Sequence, residues 1–243
     1  MRFAVVADIH ANLEALQSVL EEIDRIGVDQ IFSLGDIVGY NANPNECVDI
    51  IREREILSVL GNHDAAICGL EDAWFFRAAA RRAVDWTQER LRDDHKEFLR
   101  RLPEEMSFDS VYLGVHGSPT SKDDYIIDWL DAMRQLEYLE GRSIDVCFFG
   151  HSHRPAIFSE KGSNHCLDTA KVHTLGLDNR YFINPGAVGQ PRDKDWRAAF
   201  CIVDSARMTV ELHRVPYDID KCCDKLREAG LPHELARRLR KGK

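Results

Sequence analysis

The sequence lacks an apolar run of the roughly 20 residues needed to cross a bilayer as a helix, so no membrane partner is expected. The apolar stretch Phe3–Ala7 is short, ends in Asp8 and has no small-residue cleavage site behind it, so it reads as a first strand rather than a signal peptide. No Cys-x-x-Cys pair occurs among the 7 cysteines at 47, 68, 147, 166, 201, 222 and 223. An odd, unpatterned set argues against a disulfide framework and fits reduced thiols in a cytoplasm; adjacent Cys222 and Cys223 are read as bystanders. An excess of basic charge is missing too. The net charge of -9 gives no surface for wrapping a polynucleotide. A nucleotide-sized substrate stays open, because bound cations can invert the local charge. There are no internal repeats and no low-complexity linkers, so one domain over residues 1–243 is expected. A composition of 44% hydrophobic and 30% charged residues suits a soluble globular chain. Self-association is left open.

What is present is an alternation of short apolar runs and helical patterns. Residues 3–7 predict a strand. Residues 12–26 predict a helix with Leu13, Leu16, Leu20 and Ile23 on one face and Gly27 as its stop. Strands at 30–34 and 56–60 bracket a helix at 44–54. Such alternation marks βαβ units and a parallel sheet. From about 71 to 101 the pattern is helical without a strand, closed by Pro103, and reads as a helical insertion over about 65–105. Strands return at 110–115 and 146–149, with a helix near 128–139 between them. The last third is strand-rich, at 156–159, 173–175, 181–183, 198–203 and 209–214. A helical tail follows at about 218–243.

Five of the apolar runs end in polar clusters: Asp8-Ile9-His10, Gly35-Asp36, Gly61-Asn62-His63-Asp64, His116-Gly117 and Gly150-His151-Ser152-His153. In an open α/β sheet, sites form beyond the carboxyl ends of strands, so the five clusters converge. Carboxylate, imidazole and amide groups suit borderline and hard divalent metals. Cysteine is absent from every cluster, which argues against a thiolate zinc site. Asp8 and His10, like His151 and His153, are two apart, and at a strand end both members of such a pair reach the same side. Glycines 35, 61, 117 and 150 would let the backbone turn sharply and approach a metal or phosphate.

Taken together these clusters resemble the signature of the calcineurin-like metallophosphoesterases. Asn184-Pro185-Gly186-Ala187-Val188-Gly189 with Arg192 resembles the small bacterial and archaeal branch grouped with diadenosine tetraphosphatases and serine/threonine phosphatases. The resemblance implies an α/β fold of two mixed sheets packed as a sandwich flanked by helices. It implies one metal held by Asp8, His10, Asp36 and His153, and a second held by Asp36, Asn62, His116 and His151, with Asp36 bridging. The ions would be two divalent cations, manganese first, with iron, zinc, nickel or cobalt as alternatives. His63 would sit over the substrate, with Asp64 orienting its ring. A carboxylate neighbour would favour the imidazolium form of His63, suiting it to protonate a leaving group. The expected activity is hydrolysis of a small phosphodiester or nucleotide-like phosphoanhydride. Protein phosphatase activity and a non-catalytic scaffold role are the alternatives.

Outside the clusters, Asn12 is either the cap of the first helix or a phosphate contact at its N-terminus. Arg192 is either a substrate contact or half of a surface ion pair. Histidines 95, 165, 173, 213 and 233 belong to no cluster and are read as surface or packing residues. The tail cations Arg237, Arg238, Arg240, Lys241 and Lys243 are read as a solvated helix end.

Overall fold

The first strand, β1 (Arg2–Val6), is buried on both faces. Strand side chains alternate, so Phe3 and Val5 point one way and Ala4 and Val6 the other. The first pair packs with Tyr112, Phe148 and Ile183. The second packs with Leu16, Val19 and Val48 beneath helices. A strand covered on both faces reads as a continuous apolar run, which is why residues 3–7 carry no polar alternation. Fully burying a ring such as Phe3 contributes about 1.5–3 kcal/mol.

The computed structural model describes residues 1–165 and 171–243, so Cys166 lies outside the described residues. In one sheet the order is β3 (Leu57–Ser58), β2 (Gln30–Ser33), β1, β11 (Ala198–Asp204), β12 (Thr209–Val215) and β9 (Val172–Thr174). In the other it is β4 (Glu105–Phe108), β5 (Tyr112–Val115), β6 (Val146–Phe148), β10 (Tyr181–Asn184), β7 (Ala156–Ser159) and β8 (Ser163–His165). Strands β1, β2 and β3 run parallel, as do β5, β6 and β10; the outer pairings are antiparallel. Both sheets are therefore mixed. Their facing sides close over Phe3, Phe32, Tyr112, Phe148 and Cys201.

Helices cover the outer faces. Helix α1 (Leu13–Ile26) is capped by Asn12 and ends at Gly27, and α2 (Pro44–Glu53) begins with proline in its first turn. Where one helical insertion was expected, there is a short 3₁₀ turn at Ala73–Phe75, then α4 (Ala78–Arg90) and α5 (Asp93–Arg100). The break falls at Leu91 and Arg92, both extended. Leu91 is buried there, and Asp93 and Asp94 favour a new helix N-terminus. The helix expected near 128–139 likewise divides into α6 (Trp129–Met133) and α7 (Leu136–Glu140). The tail divides into α8 (Ile219–Glu228) and α9 (His233–Lys241). Strands β4 and β8 were not expected. Each is short and lies at a sheet edge, where one partner strand suffices and the apolar pattern is weak. Helix α3 (Asn62–Ile67) was also not expected, and it places Asn62 and His63 in a first helical turn. No helix among the described residues is long and apolar enough to cross a membrane.

Candidate metal centre

All five polar clusters lie just past strand ends, on the same edge of the two sheets. Backbone bonds lace them together: Asp8 N donates to Gly35 O at 3.2 Å, His10 N to Asp36 O at 2.8 Å, and Gly150 N to His116 O at 2.7 Å. The sharp turns were expected on the glycines. Gly35 does turn this way, with φ +84°, and several more such turns fall on the ligand candidates themselves, with φ of 53° at Asp8, 49° at His10, 53° at Asp36, 61° at His151 and 57° at His153. Non-glycine residues there cost on the order of 1 kcal/mol or more, and persist where the surroundings over-determine them.

Three imidazoles are held the same way. Nδ1 of His10 bonds Val38 O at 3.2 Å, that of His116 bonds Leu34 O at 2.8 Å, and that of His153 bonds Gln190 O at 2.6 Å. A carbonyl only accepts, so each Nδ1 carries the hydrogen and each Nε2 is left for the site. Two groups of ligand atoms result, each within 4.8 Å of one another. They are Asp8, His10, Asp36 and His153, and Asp36, His116 and His151. Asn62 joins the second group, with Oδ1 3.1 Å from His116 Nε2. Asp36 Oδ2 is 3.5 Å from His10 Nε2 and 3.4 Å from His116 Nε2, so one oxygen reaches both groups.

The donor set fits divalent cations. His10 Nε2 and His153 Nε2 face each other at 3.3 Å. With both hydrogens on Nδ1, two lone pairs oppose there, an arrangement a cation between them resolves. Asp8 Oδ2, Asp36 Oδ2 and His151 Nε2 are buried and lack a hydrogen-bond partner, which is costly for polar atoms unless a ligand completes them. The charges agree. Burial holds His10 and His153 well below the usual imidazole range and lowers His151 to about 3, so these rings are neutral and ready to coordinate. Burial, with the charge of Asp36 added, raises Asp8 to about 7. Burial pulls His116 down, but the charge of Asp36 at 3.4 Å outweighs it and holds that imidazolium up to about 9.

His63 departs from expectation. Asp64 does not orient its ring: the Asp64 carboxylate instead accepts from the backbone N–H groups of Ile37, Val38 and Gly61 at 3.2, 3.0 and 3.2 Å. Asp64 therefore ties the turn after β2 to the start of α3. The His63 ring is packed by aromatic groups, stacked on Phe76 at 4.6 Å and 17° and set against Tyr40 at 4.5 Å. Gly39 makes room for it. Its φ is +97°, and a Cβ there would lie 2.6 Å from His63 Nδ1. Nor is the imidazolium favoured. Burial outweighs the nearby charge of Asp36 and lowers His63 to about 4.

Asn12 Oδ1 accepts from Ala15 N at 3.1 Å, and its amide donates to Gly189 O at 3.0 Å, so both ends of this buried side chain are engaged within the protein. Arg192 Nη2 donates to Tyr40 Oη at 3.2 Å, and its guanidinium lies over the Tyr40 ring. Tyr125 leans on His151 at 3.9 Å between ring centroids. A cavity of about 490 Å³ opens above the centre, reaching Asp36, Asn62, His63, His151, Arg192 and, from the tail, Arg238. A second hollow beside it is walled by Trp74, Phe76 and Tyr125. The motif pattern missed Gly39, Tyr40, Phe76, Tyr125 and Arg238. Only Gly39-Tyr40, which begins three residues after Asp36, carried a local signal.

Residues 1–208 match the family model for the calcineurin-like phosphoesterase superfamily domain. An uncharacterised protein of Methanocaldococcus jannaschii is 41% identical over 242 residues, covering 97% of this chain and 96% of that protein. The crystal structure of a metallophosphoesterase from Sphaerobacter thermophilus superposes with a TM-score of 0.89 at 40% identity, covering 100% of this chain and 99% of that one. A hypothetical protein from Pyrococcus horikoshii shares the fold, with a TM-score of 0.83 at 21% identity over 100% of this chain and 98% of its own.

Proposed function

The chain belongs to the calcineurin-like phosphoesterase superfamily and is a metal-dependent phosphoesterase, and from that premise we propose that it hydrolyses a small phosphodiester or nucleotide-like phosphoanhydride at a pair of divalent cations. The observation that carries this reading is the single buried oxygen, Asp36 Oδ2, within reach of both ligand groups. Asp8, His10, Asp36 and His153 would hold one cation, and Asp36, Asn62, His116 and His151 the other. When bound, such a pair supplies Lewis-acid stabilisation of the developing charge and lowers the pKa of a water nucleophile.

The remaining chemistry belongs to side chains. His63, fixed between Phe76 and Tyr40, stands at the cavity floor, where a leaving group would depart. Its ring is neutral before substrate enters. An arriving phosphate anion favours the imidazolium, so the proton for an alkoxide is taken up with the substrate. Arg192, which lines the same cavity, would offer its guanidinium to the phosphate's remaining oxygens. Trp74, Phe76 and Tyr125 line the hollow beside the cavity and would offer a nucleobase aromatic surface to stack on. Manganese is the proposed ion, residues 1–243 the proposed single domain, and the cytoplasm the proposed setting. The six described cysteines are free and buried, in keeping with a reducing compartment.

The test compares kcat/KM under manganese for bis-nitrophenyl phosphate, a dinucleoside tetraphosphate and a phosphoserine peptide. The small substrates should be preferred. A phosphopeptide preferred tenfold or more replaces this reading with that of a protein phosphatase.

A further inference from the structure

The basic tail does not behave as one solvated face. Arg237, Arg240 and Lys241 are exposed, and Arg240 pairs with Asp220 at 2.6 Å. Arg238 is half-buried and turns inward, lining the same cavity as Asp36, His63 and Arg192. Its guanidinium carbon lies 5.8 Å from the Tyr40 ring centroid, and that of Arg192 lies 5.9 Å from the same centroid. Two cations thus share one aromatic ring at the mouth of the metal centre. Among the described residues neither makes an ion pair with an Asp or Glu side chain: Arg192 bonds Tyr40 Oη, and Arg238 Nε bonds the main-chain oxygen of Lys243. Arg192 Nε is buried without a hydrogen-bond partner.

The placement is built, not incidental. Just past α9, Gly242 adopts φ +58°, and its carbonyl accepts from Lys194 N at 2.9 Å. A Cβ on Gly242 would lie 2.7 Å from Asp195 N, so only glycine lets the tail seat this closely. The clip joins the end of α9 to the loop that carries Arg192. Arg154 braces the same loop, donating to Arg192 O at 3.2 Å. Like charges side by side repel, and such a pair is offset best by an anion between or beside them. A pair of divalent cations held against the carboxylates of Asp8 and Asp36 would already carry enough positive charge for one phosphodiester. The two guanidiniums are surplus to that need.

We propose that Arg238, held beside Arg192 by the Gly242 clip, binds a second phosphoryl group of the substrate, adjacent to the one at the metal centre. Arginine's fork suits phosphate oxygens, and such a contact selects phosphoanhydride-linked nucleotides over simple diesters. This rests on the function proposed above and narrows it. Arg238 is a specificity-determining residue here, not a participant in bond cleavage.

The experiment is calorimetric titration of the manganese-reconstituted protein with imidodiphosphate, which carries two linked phosphoryl groups and resists hydrolysis, and with orthophosphate. The wild-type protein should bind imidodiphosphate at least tenfold more tightly than orthophosphate. Arg238→Gln should reduce that ratio about tenfold, as loss of a charge-assisted, forked contact implies, with the metal content kept. Arg237→Gln, one residue away and exposed, should leave the ratio within twofold. A wild-type ratio near one, a ratio unmoved by Arg238→Gln, or an equal drop in Arg237→Gln overturns the proposal. Should Arg238→Gln fail to fold by circular dichroism, Arg238→Lys is read instead, and a threefold or larger drop is expected. Binding needs no turnover. A protein that cleaves diesters with a flat ratio therefore sinks this inference alone, and one that binds through Arg238 yet cleaves no small ester sinks only the proposed activity.

Discussion

The floor of the site and its wall are assembled in different ways. The floor comes from strand ends: Asp8, Asp36, His116 and His151 follow β1, β2, β5 and β6 directly. Each is one or a few residues beyond an apolar run, and the sheet order brings them together. The wall comes from remote places: Trp74 and Phe76 from the insertion, Tyr125 from a loop, Arg192 after β10 and Arg238 from the last helix. The floor's geometry is enforced by backbone bonds and left-handed turns, whereas the aromatic part of the wall is set by side-chain packing and its Arg238 by the single backbone clip at Gly242. On this account chemistry resides in the floor and choice of substrate in the wall, so substitutions in the two should fail differently.

The largest effect is expected at Asp36. Asp36→Asn weakens both cation groups at once, and loss of several kcal/mol of charge stabilisation corresponds to about 10³-fold or more in kcat. It is checked by kcat and metal content at equal folded fraction. Retention of a tenth of the activity would contradict the shared-oxygen geometry.

His63→Ala comes next, and its loss should depend on the leaving group. An alkyl ester, whose alkoxide needs a proton, should lose about 10²–10⁴-fold, and a nitrophenyl ester much less, with metal content unchanged. Equal losses would assign His63 to binding. Gly39→Ala should copy that selectivity in weaker form, about tenfold, because a Cβ would meet the His63 ring at 2.6 Å. The strained φ adds about 1–3 kcal/mol of instability, visible as a lowered thermal midpoint. A Gly39→Ala protein with unaltered leaving-group selectivity would remove Gly39 from the account.

The floor was legible because its rules are local. An apolar run, then Asp or His within a few residues, is visible without knowing the fold; the same runs predicted the parallel strands, while the mixed sheets were implied only by the family resemblance. Even there, the role of Asp64 was misassigned. Its carboxylate satisfies three backbone N–H groups in two segments, a demand that exists only once those segments meet. The neutral state of His63 escaped for a related reason, since burial by Phe76 and Tyr40 outweighs the charge of Asp36. Arg238 was hidden among four other tail cations, and nothing in one-dimensional spacing shows which of them turns inward. Edge strands β4 and β8 and the break at Leu91–Arg92 depend on tertiary partners in the same way.

Metal binding should be sensitive to pH, and the sign follows from the protonation of the empty ligands. Asp8 titrates near 7 and His116 near 9, and both must shed a proton to coordinate. Affinity should therefore rise with pH from about 6 to about 9, approaching tenfold per unit for each proton released. The proton release is measured calorimetrically in buffers of different ionisation enthalpy. Affinity that falls over this window would contradict the assignment of these two groups. The smallest effect is expected at Trp74, which is 63% exposed. Trp74→Ala should leave the thermal midpoint nearly unchanged. It should raise KM for a dinucleotide several-fold, in line with base stacking of about 1–3 kcal/mol, without a matching change for bis-nitrophenyl phosphate.

The most direct test of the account is the number of cations the floor holds. The protein is stripped with chelator, reconstituted with manganese, freed of excess ion and assayed for metal per chain, alongside Asp36→Asn. Two ligand groups sharing Asp36 Oδ2 predict saturation at two ions in the wild-type protein and weakened occupancy of both in the variant. Saturation of the wild-type protein at one ion or fewer would contradict the paired centre on which the proposed chemistry rests.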